Sequence, residues 1–193
     1  TAGNPPAGRT QHRKLARGVE GDIVARGGFH GTMRVAEPNV LRWTRDQYYK
    51  MARAGIFSGR RVELIKGEII EMSPQDALHA AAIMVVDYAL RRAFREGFAV
   101  RVQLPLSLGL DSDPEPDVAV VRGGPRDFAR SHPTGAVLVV EAAESSLEYD
   151  RAHKASLYAQ AGIEDYWIVN LLDRQVEVLE HPQVIVILVP NVT

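Results

Sequence analysis

The stretch Val140–Lys154, VEAAESSLEYDRAHK, sets a carboxylate at the end of an apolar run and a lysine a little beyond it, past a polar turn. On a helix, Lys154 shares its face with residues three, four and seven places on, which are Leu157, Tyr158 and Ala161. An amine on that side faces the body of the protein and needs a carboxylate there, because a buried ion without a partner is costly. Asp150, one turn back, would make an ordinary surface pair. Glu141 is the other candidate partner, and Asp117 opens a second apolar run, PDVAVV (Pro116–Val121). If that run neighbours AVLVVE (Ala136–Glu141), both carboxylates reach one rim. Carboxylates within about 5 Å of one another repel and hold together by binding a cation or a proton. Hard oxygen donors at a partly open site suit Mg²⁺ or Mn²⁺. An amine beside a water activated there would suit phosphoryl transfer, by placing the water and stabilising the charge that develops. The plainer alternative is that Asp117 and Glu141 each cap a loop.

Two further residues belong with these. Glu63 lies between Val62 and Leu64, and strand alternation turns it away from both. It is either an acid of the same cluster or a solvated edge residue. His79, at the start of a helical stretch, could bond a phosphate or water, or serve as a cap or core histidine. Other chemistry is poorly represented. The chain has no cysteine, which excludes disulfides, thiol nucleophiles and cysteine-held zinc. There is no phosphate-binding P-loop, no GxGxxG, no GxSxG elbow and no HExxH. Ser145-Ser146 with His153 nearby lacks an evident orienting acid.

The elements that must position these groups follow from pattern. Thr44 with Gln47 three places on is a capping box, opening a helix over about 45–54 that stops at Gly55. VELIKGEIIEM (Val62–Met72) reads as a hairpin turning at Lys66-Gly67. Ile83, Val86, Leu90 and Phe94 form a buried stripe on a helix over 77–96. Strands follow at 98–104, 116–121 and 136–141, the last two apolar enough for central positions. A helix over 150–161 ends at Gly162, and DYWIVNL and QVEVLE make a second hairpin. QVIVILV supplies a final candidate strand. The 193 residues, 46% hydrophobic and 24% charged, suit one α/β (α+β) domain with a mixed sheet and helices against it.

Charge is uneven. Residues 1–34 balance at +4 and the remainder at −5, within a net −1. The first 34 residues read as a flexible basic leader, and 35–193 as a single domain. Met33 is read as the natural start, with an extension before it. No secretory pattern and no apolar run of about 18 residues is present, so no membrane span is expected, and the absence of cysteine suits a cytoplasmic setting.

Taken together, VELIKGEIIEMSP, the His after it, PEPDVAVV and VVEAAESSLEYDRAHKASLYAQAGIEDYWIVNL resemble the Uma-two family of putative restriction endonucleases, within the PD-(D/E)XK nuclease-like superfamily. The resemblance covers about 41–182. It implies a restriction-endonuclease-like fold, with Asp117 and Glu141 as metal-binding carboxylates, Glu63 as the upstream acid and Lys154 as the family's helix-borne lysine. In most of the superfamily that lysine lies two residues after the Glu, where this chain has Ala143. Ala142 stands where Val is more usual. The segment after Pro182 is shorter than the family's tail, and is read as truncated or altered.

The expected function is therefore a Mg²⁺- or Mn²⁺-dependent endonuclease hydrolysing DNA, with Glu63, Asp117, Glu141 and Lys154 catalytic. The alternative is a nucleic-acid-binding or regulatory module on the same fold, with little or no catalysis. A hydrolase of another phosphate or sugar is a third reading. The position of Arg60, Arg61, Arg91, Arg92 and Arg95 relative to Asp117 discriminates among them. A homodimer would suit the two strands of a duplex.

Overall fold

The computed structural model describes residues 39–180 and 183–188. The predicted basic leader, the expected start at Met33 and the final residues of the tail lie outside them. Helix α1 (Arg45–Arg53) begins as expected: Thr44 Oγ1 accepts from the Gln47 amide and Gln47 Oε1 accepts from the Thr44 amide. Strands β1 (Val62–Ile65) and β2 (Glu68–Glu71) form the hairpin, with Ile65 opposite Glu68. Its turn requires glycine at position 67. There φ is +77°, and an added Cβ would sit 2.6 Å from the Arg42 Cβ.

A six-stranded sheet carries the rest. Its order is β3 (Phe98–Val102), β4 (Val118–Arg122), β5 (Leu138–Ala143), β6 (Asp165–Asn170), β7 (Gln175–Glu180) and β8 (Gln183–Leu188). Only β5 and β6 pair in parallel, so the sheet is mixed. The parallel pair needs a crossover. It is made by α3 (Leu147–Tyr149), a π-helical turn over Asp150–Lys154, and α4 (Ala155–Gln160).

Strand alternation divides the core between two faces. Val118, Val120, Leu138, Val140 and Ala142 pack under α2 (Ala77–Ala93), through Ile83 and Leu90. Ala119, Val121, Val139 and Ala143 pack on the opposite face with Leu147, Leu157, Tyr158 and Ile65 of the hairpin. Every residue of β5 is buried, as a strand covered on both sides should be. Several element ends need correcting: α2 stops at Ala93 rather than 96, β3 at Val102 rather than 104, and β4 starts at Val118 rather than 116. The apolar run does not end at Glu141: β5 continues to Ala143, because β6 pairs with it as far as Asn170. The following helix starts three residues early, at Leu147, whose side chain is buried in the core.

The crossover is anchored to the sheet by a charge pair. Arg151 donates from Nε and Nη2 to the two oxygens of Glu177 on β7, at 2.9 and 2.6 Å. Glu177 is buried and also accepts from Asn170 Nδ2 at 2.9 Å. The Arg151 guanidinium holds the Glu177 carboxyl down at about 2. A depressed carboxyl contributes stability that is complete above about pH 5 and is lost as pH falls toward 2. Glu177→Gln is therefore expected to lower Tm at pH 7 by roughly 2–4 °C, the response of a chain this size to about 1 kcal/mol. It should also flatten the acid limb of stability between pH 5 and 2. Calorimetry across that range checks both.

Candidate active site

Antiparallel pairing of β4 with β5 sets Val118 opposite Val140, which places Asp117 opposite Glu141. The two are tied through the backbone. The Asp117 amide donates to Glu141 Oε2 at 3.3 Å, and the Ala142 amide donates to Asp117 Oδ2 at 2.9 Å. The notched end of β4 also brings in Gln103, whose Nε2 donates to Asp117 Oδ1 at 3.2 Å. Glu63 comes from the hairpin. Its side chain is 3% exposed and accepts from the Glu115 amide at 3.1 Å, so it is no solvated edge residue.

Lys154 closes the group. Its Nζ lies 3.0 Å from Glu141 Oε1 and 3.3 Å from Glu63 Oε1, against 4.0 Å from Asp150. The π-helical turn explains how one short helix serves both directions. It buries Asp150 and Lys154 together, while Arg151 points to β7. Single π turns inside helices recur at functional positions. Thus the structure brings together all four residues singled out in the sequence, and Lys154 points at Glu141 rather than merely at Asp150.

His79 is neither cap nor core. Asp76 caps α2, accepting from the His79 amide, and the imidazole Nε2 lies 3.2 Å from Asp117 Oδ2. Tyr158 donates to Glu141 Oε1 at 2.8 Å. It appeared in the sequence only as a neighbour of Lys154 on the helix face, and that spacing was the signal for it. Gln103 and the Ser146 hydroxyl, which donates to Asp150 at 2.7 Å, had no signal of their own. Of the arginines, Arg61 lines the cleft, whereas Arg91 and Arg92 end the other terminus of α2.

The electrostatics are lopsided. Burial raises the Glu141 carboxyl above the ordinary range; Lys154 opposes this, while Asp117, Asp150 and Glu63 add to it. Burial also raises Asp150, against Lys154 and Ser146. Asp117 goes the other way: burial would raise it, but His79 and the Ala142 amide hold it below the usual carboxylate range. Its hydrogen bond in turn raises His79. For Lys154, burial favours the neutral amine, and Glu141, Glu63 and Asp150 overcome it, so the ammonium persists well above the ordinary lysine range. An ammonium there can place a water, donate hydrogen bonds to it and offset negative charge.

The cleft that these residues line has a volume of about 280 Å³, below the roughly 300 Å³ at which pockets for whole drug-sized molecules begin. Among the described residues, no three His, Asp or Glu side chains gather into a ready metal cage. The residues that could hold a hard divalent cation here are Asp117 and Glu141, with Glu63. Two adjacent carboxylates and a third acid face a cleft where acids outnumber the ammonium, and Mg²⁺ characteristically keeps several waters and uses one or two carboxylates.

With this geometry in view, the comparisons with known proteins are specific. Residues 45–192 match the Uma2 family, described as putative restriction endonuclease, and the chain belongs to that family. It is similar to a putative nuclease belonging to DUF820 from Anabaena variabilis ATCC 29413, known from a crystal structure, with a TM-score of 0.62. The two are 16% identical over 75% of this chain and 83% of that one, which shows a shared nuclease-like fold. No curated protein matches the sequence. Among the described residues no helix is long and apolar enough to cross a membrane.

Because Lys154 is the ammonium among four buried acids, Lys154→Met is expected to destabilise the fold by about 3–5 kcal/mol, the cost of stranding buried charges. The loss should shrink at pH 5, where the raised carboxyls accept protons. Urea unfolding at pH 5 and pH 7.5 measures the difference.

Proposed function

We propose that this chain is a metal-dependent endonuclease that hydrolyses phosphodiester bonds in DNA. The observation that carries this reading is the Lys154 ammonium, 3.0 Å from Glu141 and 3.3 Å from Glu63, in a cleft that Asp117 also lines. Asp117 and Glu141, with Glu63, would hold Mg²⁺ or Mn²⁺. Such an ion, when bound, would polarise a phosphoryl oxygen and acidify a water.

The chain's own groups supply the rest. Lys154 carries a fixed positive charge to the place where negative charge builds on the phosphate, and its hydrogens orient the attacking water. Tyr158, donating to Glu141 Oε1 beside Lys154, restricts that carboxylate to one rotamer. His79 turns a ring nitrogen toward Asp117 at the cleft wall, where it would steady that carboxylate. Arg61, half open at the rim, favours approach of a polyanion to an otherwise acidic cleft. Family membership supports the nuclease class. The setting is expected to be cytoplasmic.

The test is cleavage of supercoiled and single-stranded DNA with Mg²⁺ or Mn²⁺, beside Asp117→Ala and Lys154→Ala. Each substitution is expected to reduce the rate at least 100-fold, the scale set by removing one preorganised charge-stabilising group. Cleavage that survives both sinks the mechanism, and binding without cleavage by the unaltered chain favours a binding module on the nuclease fold. A separate check needs no turnover. Mg²⁺ or Mn²⁺ should raise the Tm of the unaltered chain, through binding to the folded state alone, and leave Asp117→Ala/Glu141→Ala unmoved.

A further inference from the structure

Helix α2 is apolar on two opposite faces. One packs on the sheet through Ile83, Val86 and Leu90. The other presents Leu78, Met84, Val85 and Tyr88 at 57–72% exposure, with Ala81 between them. From Ala77 to Val86 no side chain is formally charged. A helix apolar all round is ordinarily buried, yet no described element covers this outer face. Positions 78, 81, 85 and 88 alternate steps of three and four, the spacing of a seam between paired helices.

The two ends of α2 differ in charge. The first end, with Asp76 and His79, borders the acidic cleft. The last turn carries Arg91 and Arg92, and Arg95 follows. Arg91 is held by Asp87, but Arg92 and Arg95 have no carboxylate partner among the described residues; Arg92 lies over the Tyr88 ring. From His79 to Arg92 is 13 residues, about 20 Å of helix, so these arginines cannot serve the cleft of their own chain.

We propose that a second copy of this chain covers the outer face of α2, the two helices running antiparallel. Leu78 then meets the partner's Tyr88, Ala81 meets the partner's Val85, and the partner's Arg92 and Arg95 come beside Asp76 at the cleft mouth. Three features favour this occupant. The seam is self-complementary about a two-fold axis. Antiparallel helix dipoles attract, and the basic last turn faces an acidic cap. The arrangement also supplies cations where an acidic cleft needs them for a phosphate backbone. The pairing stands on the helix alone; the role given to the arginines rests on the nuclease reading.

The full chain contains no cysteine, so engineered ones report contacts cleanly. Light scattering is expected to give twice the 21.3 kDa chain mass, and Val85→Glu, at the seam's centre, the single mass with an unchanged circular dichroism spectrum. On oxidation the double variant Leu78→Cys/Tyr88→Cys should form a covalent dimer, and neither single variant should. A monomer at every concentration, or a dimer indifferent to Val85→Glu, overturns the pairing. Disulfide formation by Leu78→Cys alone means parallel helices and overturns the arrangement. Arg92→Gln/Arg95→Gln, which removes the cations without setting acid against Asp76, should keep the dimer mass and bind a DNA duplex at least ten-fold more weakly by fluorescence anisotropy. Unchanged DNA affinity in that dimer overturns the arginines' role. The mass and cross-linking readouts involve no DNA, so failure of the nuclease reading leaves them intact.

Discussion

The structure turns on one ion set against several. Lys154 carries the ammonium that faces Glu141, Glu63 and Asp150, all buried with it. Charges in such a place exist only if the surroundings hold them there. The surroundings are the central β4–β5 pair, the hairpin from the front and the crossover helix from behind. Each supplies part of the group and none could bury its own part alone. The fold around the cleft is in this sense the shape needed to bring three acids within 4.0 Å of one lysine amine.

Two classes of contact share that task. Backbone amides fix the acids: Ala142 holds Asp117, the Asp117 amide holds Glu141, and the Glu115 amide holds Glu63. Side chains fix the lysine's helix, through Arg151 on Glu177 and Tyr166 on the Asp150 carbonyl. Amide contacts follow from strand register and tolerate almost any neighbouring side chain. The helix anchors depend on particular side chains.

Much of this was legible in the residues. The Lys66-Gly67 turn, the capping box at Thr44 and the α2 stripe each have a local cause and stand where expected. The facing of Asp117 and Glu141 was legible only on condition that their two apolar runs were neighbours, a condition the β4–β5 pairing meets. Other points depended on partners distant in sequence. Glu63 alternates correctly along its strand, but nothing local says that the face opposite Leu64 is also covered. Glu141 looked terminal because Ala142, Ala143 and Glu144 carry no strand preference; β6 decides the matter by pairing as far as Ala143. The π turn over Asp150–Lys154 has no sequence signature, and it alone lets Lys154 and Arg151 point to different elements. The function class was legible through resemblance, and the family match agrees with it.

The division of the charges between strand and helix has a consequence for the chain as it folds. Had the lysine stood at Ala143, acid and counter-charge would form as soon as one strand did. Here the acids of the sheet meet their counter-charge only when the crossover helix, whose lysine lies 13 residues after Glu141, is docked upon it. The centre thus works as an inspection step built into the molecule: its acids meet the one ammonium only in a chain whose crossover, hairpin and sheet are all in place.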